Sequence, residues 1–456
     1  MEPKIVATND TIVALASGPG IAAVAVIRVS GPGTRDALEA LCGGVPPPRH
    51  ASLRDIGPPR REKLDRGLVL WFPGPSSFTG EDMAELQLHG SRAVIRGVLD
   101  ALLTLPATRL AEPGEFARRA FENGKLDLTE VEGLADLINA ETEAQRRQAL
   151  AQSEGSLRQL YEGWRAELLG AQALMEAGLD FADEGDVAID VSVKAGAIVD
   201  RLLQSLARHL ADHRGERLRD GLRIVIAGPP NAGKSSLLNA LAKRDVAIVS
   251  EEAGTTRDVI EVHLDLGSIP VILVDTAGLR EARGKVEAEG ISRALARVEQ
   301  ADLVLWLVDA TAPMWEAPGR AIPHKGGVMG AQICATPVQI CVLNKIDLAR
   351  VSGGPERIEI SARTGEGLDH LIAALKARAA DLAETTVASP PMTRARHRAE
   401  LEVAQAALQR FGAASLSPEL KAEELRIAAR HLGRLTGRID VEEVLGAIFA
   451  EFCIGK

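Results

Sequence analysis

A chain of 456 residues, 46% apolar and 25% charged, has room for about three globular domains. Its net charge of −10 excludes a general nucleic-acid coat, so any RNA contact must use local basic patches. Aromatic residues make up only 3%, so the cores must rest on Leu, Val, Ile and Ala, and the four cysteines (Cys42, Cys334, Cys341, Cys453) lack metal-ligand spacing.

In chain order, residues 1–123 read as mixed strands and helices. Val26–Ser30 and Gly67–Phe72 predict strands stopped by Gly or Pro, and Asp82–His89 alternates polar and apolar as a strand does. Ser91–Leu105 carries helical spacing through Val94, Val98, Leu102 and Leu105. Arg28 interrupts an apolar strand, and a cation there needs a partner. Glu81, Asp82 and Glu85 are the candidates, in a core-edge salt bridge or in a binding site.

From about residue 124 the pattern turns helical. Asp127-Leu-Thr129-Glu-Val131 predicts a helix start, and Val131, Leu134, Ile138, Leu157, Leu160, Trp164 and Leu168 keep the helical period. The acidic stretch Asp180–Asp186 reads as a solvated turn between helices. Breakers place a boundary near Gly215–Gly221.

Next comes LRIVIAGPPNAGKSS, Leu222–Ser236. A β-branched run ends in Gly228-Pro-Pro-Asn231-Ala232-Gly233-Lys234-Ser235-Ser236 and a helical pattern follows, which is the strand–loop–helix context of a P-loop. Gly228 and Gly233 let backbone N–H groups turn inward around phosphate, Lys234 reaches the terminal phosphates and Ser235 offers a hydroxyl to Mg2+. Val271–Val274 leads to Asp275-Thr276-Ala277-Gly278, where the Asp suits a second Mg2+ contact and the Gly a γ-phosphate contact. Between them, Ala253-Gly254-Thr255-Thr256-Arg-Asp carries a Thr hydroxyl suited to the same ion. Val338–Leu343 ends in Asn344-Lys345-Ile-Asp347, whose carboxylate can accept from guanine N1–H and the 2-amino group. Ser361-Ala362-Arg363 fits the loop that closes over the base. Five motifs in this order predict a guanine-nucleotide domain. Leu279 stands where small GTPases place a water-orienting Gln, so the hydrolytic group must come from elsewhere, and Arg280–Glu289 supplies candidates. Ala312–Pro337 predicts a long surface loop.

A second boundary falls near Thr385–Pro391, and helical periodicity resumes at Thr393. Three arginines in Thr393–Arg398 oppose the helix dipole and require an anionic offset, either capping carboxylates or phosphate. Two helical blocks around the GTPase sequence predict one split helical domain carrying an insertion. The expected domains are 1–123, 124–218, 219–382 and 383–456. No secretory signal and no long apolar segment is visible, so the expectation is a cytoplasmic protein without membrane association.

The chain ends Cys453-Ile-Gly-Lys456, which is not a prenylation signal. That ending, with Asp10-Thr-Ile-Val-Ala, Arg28-Val-Ser-Gly, Phe78-Thr-Gly-Glu-Asp, Gly114-x-Phe-x-x-Arg-Ala-Phe, Lys125-Leu-Asp-Leu and Ala253-Gly-Thr-Thr-Arg-Asp, resembles the MnmE (TrmE) family of tRNA modification GTPases over essentially the whole chain. The resemblance implies an α/β and all-α multidomain fold: an N-terminal α+β folate-binding domain that also forms a homodimer, a split helical domain, and an inserted Ras-like P-loop GTPase. It implies addition of a carboxymethylaminomethyl or aminomethyl group to C5 of the wobble uridine of certain tRNAs, with the partner MnmG in a hetero-oligomer. A tetrahydrofolate derivative (5,10-methylene or 5-formyl) carries the one-carbon unit, and FAD enters only through MnmG. By the same resemblance Arg28, Glu85, Lys125 and Lys456 hold the folate. Ser235 and Thr256 hold Mg2+, while Asn231, Ser250, Glu252 and Thr255 surround K+ within the nucleotide loop Ser250-Glu251-Glu252-Ala253-Gly254-Thr255. Glu287 positions the attacking water, which answers the Leu279 problem, and Cys453 is a candidate for the transfer chemistry or for positioning the tail. Departures from the family pattern are Ser250 for Thr, Ser91 for a second Gly after His89-Gly90, and Arg438 for an acidic residue. The alternative class is a regulatory GTPase switch in ribosome or RNA assembly, but no appended basic module follows the GTPase sequence.

Overall fold

The computed structural model describes residues 10–18, 20–59, 62–180, 185–244, 246–248, 261–275, 301–311, 322–324, 327–329, 338–349, 357–383, 390–413, 415–439, 442–450, 452 and 455. The chain divides into two compact units: Met1–Ile138, Leu150–Leu206 and Ala399–Lys456 in one, Asn139–Ala149 and Ala207–Arg398 in the other.

The first unit begins with β1 (Thr11–Leu15), β2 (Ala22–Ser30), α1 (Thr34–Cys42), β3 (Ser52–Ile56), β4 (Asp65–Phe72), β5 (Met83–Gly90), α2 (Arg92–Leu103), β6 (Thr108–Leu110) and α3 (Glu115–Glu122). The strands form one sheet in the order β3-β4-β5-β2-β1-β6, antiparallel except for β1 beside β6. Alternation puts Ile27, Val29, Val69, Trp71, Ala84, Leu86 and Leu88 on one face, where Leu38, Leu41, Val98 and Leu102 of the helices cover them. The other face keeps Arg28 and Glu85. Gly67 allows the β4–β5 pairing to close, because a Cβ there would stand 2.1 Å from the Gln87 carbonyl.

The chain continues through α4 (Leu128–Ile138), α5 (Glu143–Ser153), α6 (Ser156–Asp180) and α7 (Gly185–Leu210). Asp127 Oδ1 accepts from the Glu130 N–H at 2.8 Å while Glu130 Oε2 accepts from the Asp127 N–H at 2.7 Å, a reciprocal cap that starts α4 where the sequence predicts it.

The second unit contains α8 (Arg214–Asp220), β7 (Leu222–Ala227), α9 (Lys234–Ala242), β8 (Glu261–Asp265), β9 (Pro270–Asp275), β10 (Leu303–Asp309), β11 (Ile322–His324), β12 (Gly327–Met329), β13 (Val338–Asn344), β14 (Arg357–Glu359) and α10 (Leu368–Ala383). Its main sheet runs β14-β13-β10-β7-β9-β8, parallel except for β8. The central strand β7 is apolar on both faces because both are covered. Ile224 and Ile226 meet Leu237, Leu238 and Leu241 of α9, while Val225 packs with Val274 and Val304. The chain closes with α11 (Ala395–Phe411), α12 (Pro418–Leu435) and α13 (Glu442–Ala450). In the first unit α12 packs along α6, and Ile448 and Phe449 of α13 bury against Ala117 and Val131.

The stretch 214–220, where breakers place a boundary, forms α8, and a Cβ on buried Gly215 would stand 2.3 Å from the Met392 carbonyl. Within the expected loop at 312–337, the described residues form an antiparallel hairpin, β11 with β12. The arginine-rich start of α11 finds part of its offset in protein groups. Arg398 donates to the Leu210 carbonyl at 2.6 Å and pairs with Glu216 at 2.7 Å, a carbonyl–carboxylate partner set. Arg438 likewise has a partner, donating to Glu162 at 2.6 Å.

Candidate functional site

In the second unit the site gathers at the carboxyl edge of the sheet, where open α/β folds bind ligands. The turn after β7 is permitted by Gly228 at φ 144, since a Cβ there would meet the Leu307 carbonyl at 2.2 Å. Asn231 adopts φ 64, and Gly233 at φ 97 caps α9, so that the helix N-terminus opens onto the loop. Buried Lys234 folds over this cradle, its Nζ 3.0 Å from the Gly228 carbonyl and 2.9 Å from that of Pro229. Ser235 Oγ donates to Asp275 Oδ2 at 2.5 Å. A hydroxyl and a carboxylate are thereby brought together from two motifs 40 residues apart, a hard oxygen pair that fits Mg2+ beside a phosphate chain.

The guanine-side motifs converge on the same edge. Asn344 Nδ2 donates to the Ala232 carbonyl at 2.8 Å and its Oδ1 accepts from the Ala362 N–H at 2.9 Å, tying β13 to the P-loop and the closing loop at once. Ser361 Oγ donates to Asp347 Oδ1 at 2.7 Å and orients that carboxylate. Arg363 is exposed at the rim. Lys345 Nζ pairs with Asp309 Oδ2 at 2.5 Å. The sequence reading missed Asp309, although a carboxylate ending the apolar run Leu303–Val308 repeats the pattern that singled out Asp275.

In the first unit register alone joins Arg28 to Glu85, which face each other across β2 and β5. Arg28 donates to Glu85 Oε1 through Nη2 at 2.9 Å and Nε at 3.2 Å. Of the three expected partners this is the one used, since Glu81 turns to Arg119 and Asp82 to the Gly74 N–H. The Arg28 guanidinium lies 5.6 Å from the ring centroids of both Phe78 and Phe116. Arg28 Nη1 also reaches the Gly455 carbonyl at 3.5 Å, so the chain end touches this site. Gly455 has φ 99, and a Cβ would stand 2.1 Å from the Leu15 carbonyl. Lys125 Nζ donates to the Pro75 carbonyl at 3.1 Å, at the start of the loop that bears Phe78.

A charged network frames the aromatic pair. Arg119, only 2% exposed, donates to Asp10, Glu81 and Glu115, and Arg109 donates to Asp10 and Glu115. Burial alone would raise Asp10 and Glu115, but the bonds from Arg109 and Arg119 hold both carboxyls below their ordinary range. Glu81 accepts from Ser30 Oγ at 2.8 Å, and Ser30 Oγ in turn accepts from the Thr79 hydroxyl at 2.7 Å, beside Phe78.

Ser250, Glu251, Glu252, Ala253, Gly254, Thr255, Thr256, Thr276, Ala277, Gly278, Glu287, Cys453 and Lys456 lie outside the described residues. Among the described residues no helix is long and apolar enough to cross a membrane.

Two family descriptions match the chain: "MnmE helical domain" over residues 128–453 and "GTP-binding protein TrmE N-terminus" over residues 11–125. The chain is 55% identical over 454 residues to the tRNA modification GTPase MnmE of Parvibaculum lavamentivorans, covering 98% of this chain and 100% of that one. It is 51% identical to the protein of that name from Rhodopseudomonas palustris, covering 98% and 99%, and 53% identical to that of Rhizobium meliloti, covering 98% and 100%.

Proposed function

The chain belongs to the MnmE family of tRNA modification GTPases, and from that premise we propose that it works with MnmG to add a carboxymethylaminomethyl or aminomethyl group at C5 of the wobble uridine of certain tRNAs. GTP hydrolysis in tRNA modification is the family activity. The observation that carries the transfer reading is Arg28 paired with Glu85 between two phenylalanine rings, with the chain end at Gly455 against it. A pterin presents an amide–amidine edge that Glu85 can read, and its glutamate tail suits cations such as Arg28, Lys125 and Lys456. A tetrahydrofolate derivative bound there would supply the one-carbon unit. Cys453, two residues from Gly455, would act on the uridine or position the tail.

In the nucleotide site Ser235 and Thr256 are the proposed Mg2+ ligands. Asn231, with its left-handed backbone, would hold K+ together with Ser250, Glu252 and Thr255. Glu287 would position the attacking water, supplying what Leu279 cannot. The domain assignment follows the same reading: 1–123 for folate and homodimer formation, 124–218 and 383–456 for the split helical domain, 219–382 for the inserted GTPase. Close approach of Gly215 to Met392 supports insertion, because it sets the chain before the GTPase beside the chain after it. The protein is assigned to the cytoplasm.

The decisive experiment combines the purified chain with MnmG, GTP, K+, methylene-tetrahydrofolate, an amine donor and unmodified tRNA, followed by nucleoside analysis. Modified wobble uridine in the wild-type reaction and its loss with Arg28→Ala is the expected result. Full modification without folate, or with Arg28→Ala, overturns the reading. Equal GTP turnover in Na+ and K+ removes the potassium assignment.

A further inference from the structure

The Lys345–Asp309 pair has a geometry that nucleotide binding by the recognised motifs does not require. Lys345 sits between Asn344, which locks the P-loop, and Asp347, whose carboxylate accepts from Ser361 Oγ at 2.7 Å. It holds φ 71, a left-handed backbone that residues with a side chain rarely adopt. Asp309 ends the neighbouring strand β10 in register with Asn344, and its Oδ2 holds the lysine ammonium at 2.5 Å. The four-carbon stem therefore bridges two strand ends across the carboxyl edge of the sheet. Asp309 is itself preset: its Oδ1 accepts from the Thr311 N–H at 2.8 Å and the Thr311 hydroxyl at 2.7 Å.

We propose that Asp309 is a positioning residue of the guanine site: by holding the Lys345 ammonium aside, it lays the apolar stem flat as the floor on which the guanine ring stacks. An untethered lysine carries large rotamer entropy and a strongly hydrated charge, and both oppose a fixed contact with the flat face of a base. Holding the stem before the ligand arrives transfers that ordering cost from binding to folding. Asp309 touches neither phosphate nor base in this arrangement and acts through Lys345.

A double-mutant cycle on the full chain tests this, using fluorescent-labelled GDP for affinity and steady-state GTP hydrolysis for kinetics. Asp309→Asn keeps the shape and loses the charge, and should weaken GDP about tenfold, with the change in turnover falling on KM rather than kcat. Lys345→Met keeps the apolar stem without the charge. In that background Asp309→Asn should cost less than about twofold, because no ammonium is left to hold. Asp309→Glu, with its carboxylate moved by one methylene, should recover part of the affinity. Equal losses from Asp309→Asn in both backgrounds would mean that Asp309 acts on the fold around Thr311 and would overturn the proposal. Unchanged GDP affinity of Asp309→Asn would do the same. Should Asp309→Asn fold poorly by thermal melting, Asp309→Glu in the two backgrounds decides by the same criterion.

Discussion

Every described residue of the nucleotide site sits at or just beyond the carboxyl end of a strand, whereas Arg28 and Glu85 sit within strands and meet only because β2 and β5 pair in one register. Each motif of the first arrangement is local, although the motifs meet from distant parts of the chain. A strand, its turn and the next helix are consecutive in sequence, so phosphate chemistry is written as a motif. The second is assembled from residues 28, 78, 85, 116 and 455, whose neighbourhood depends on sheet pairing and on where the chain end docks. Local sites tolerate change elsewhere in the fold. Assembled sites transmit it, because a slip of one residue sends each side chain to the other face.

Removing the P-loop lysine should produce the largest effect. Lys234→Ala loses the charge-assisted bonds the lysine makes to phosphate, and should weaken GTP by at least about 100-fold, from roughly 3 kcal/mol. If the two sites are chemically independent, labelled-nucleotide titration should give the same GTP affinity for Arg28→Ala as for the wild-type chain. A matching loss in Arg28→Ala would break the contrast between a local and an assembled site.

The two units should also answer pH with opposite signs. Burial, outweighing the bonds from the Glu130 N–H and Thr129, pushes the Asp127 carboxyl up from 3.8 to about 6. The folded first unit thus keeps a proton that the unfolded chain releases, and its stability falls as pH rises from 3.8 to about 6. Burial, aided by His397 and Arg398 against the opposing pull of Asp212, takes His209 down from 6.5 to about 4. Here the unfolded chain binds the proton first, so the second unit loses stability as pH falls from 6.5 towards about 4. Each shift sets an upper bound of roughly 3 kcal/mol. Hydrogen exchange corrected for intrinsic rates, at pH values inside that window and above it, should show protection moving from one unit to the other. Asp127→Asn should flatten the response of the first unit alone. Parallel changes in both units would show that other groups govern the acid response.

A smaller effect should follow from splitting the Arg28–Glu85 pair, whose side chains are 21% and 20% exposed. Glu85→Gln leaves a cation between two rings without its carboxylate, and should destabilise the first unit by about 1–2 kcal/mol, below the cost for a fully buried pair. Arg28→Met with Glu85→Gln should recover most of that in urea melts, while 5-formyltetrahydrofolate binding by calorimetry stays lost. Folate affinity near that of the wild type in the double variant would detach the pair from the ligand.

The same division explains what could be read from sequence. The P-loop, Asp275, and Asn344 with Asp347 were legible because each follows a β-type run and precedes a turn. Arg28 was legible only as a cation in need of a partner, and sequence could not choose Glu85 over Glu81 and Asp82. That choice belongs to register, and to Arg119, which draws Glu81 away. Asp309 ends the same kind of run as Asp275 but belongs to none of the five motifs, and its role shows only once the lysine opposite it is placed.

Ser91 gives the finest test, since it departs from the second glycine that the resemblance leads one to expect after His89-Gly90. In this fold Ser91 is the N-cap of α2: its backbone is extended at φ −82 and ψ 144, and its Oγ accepts from the Val94 N–H at 3.2 Å. The serine therefore serves the helix. Ser91→Ala should cost about 1 kcal/mol and Ser91→Gly only a few tenths, because glycine leaves the first N–H groups open to water. Urea melts resolve the difference between the two. Folate affinity should be the same in the wild type and both variants, since the hydroxyl is committed to the cap. A severalfold change in affinity with Ser91→Gly, at unchanged stability, would instead place this loop in the ligand site and make the assembled site wider than Arg28, Glu85 and the two rings.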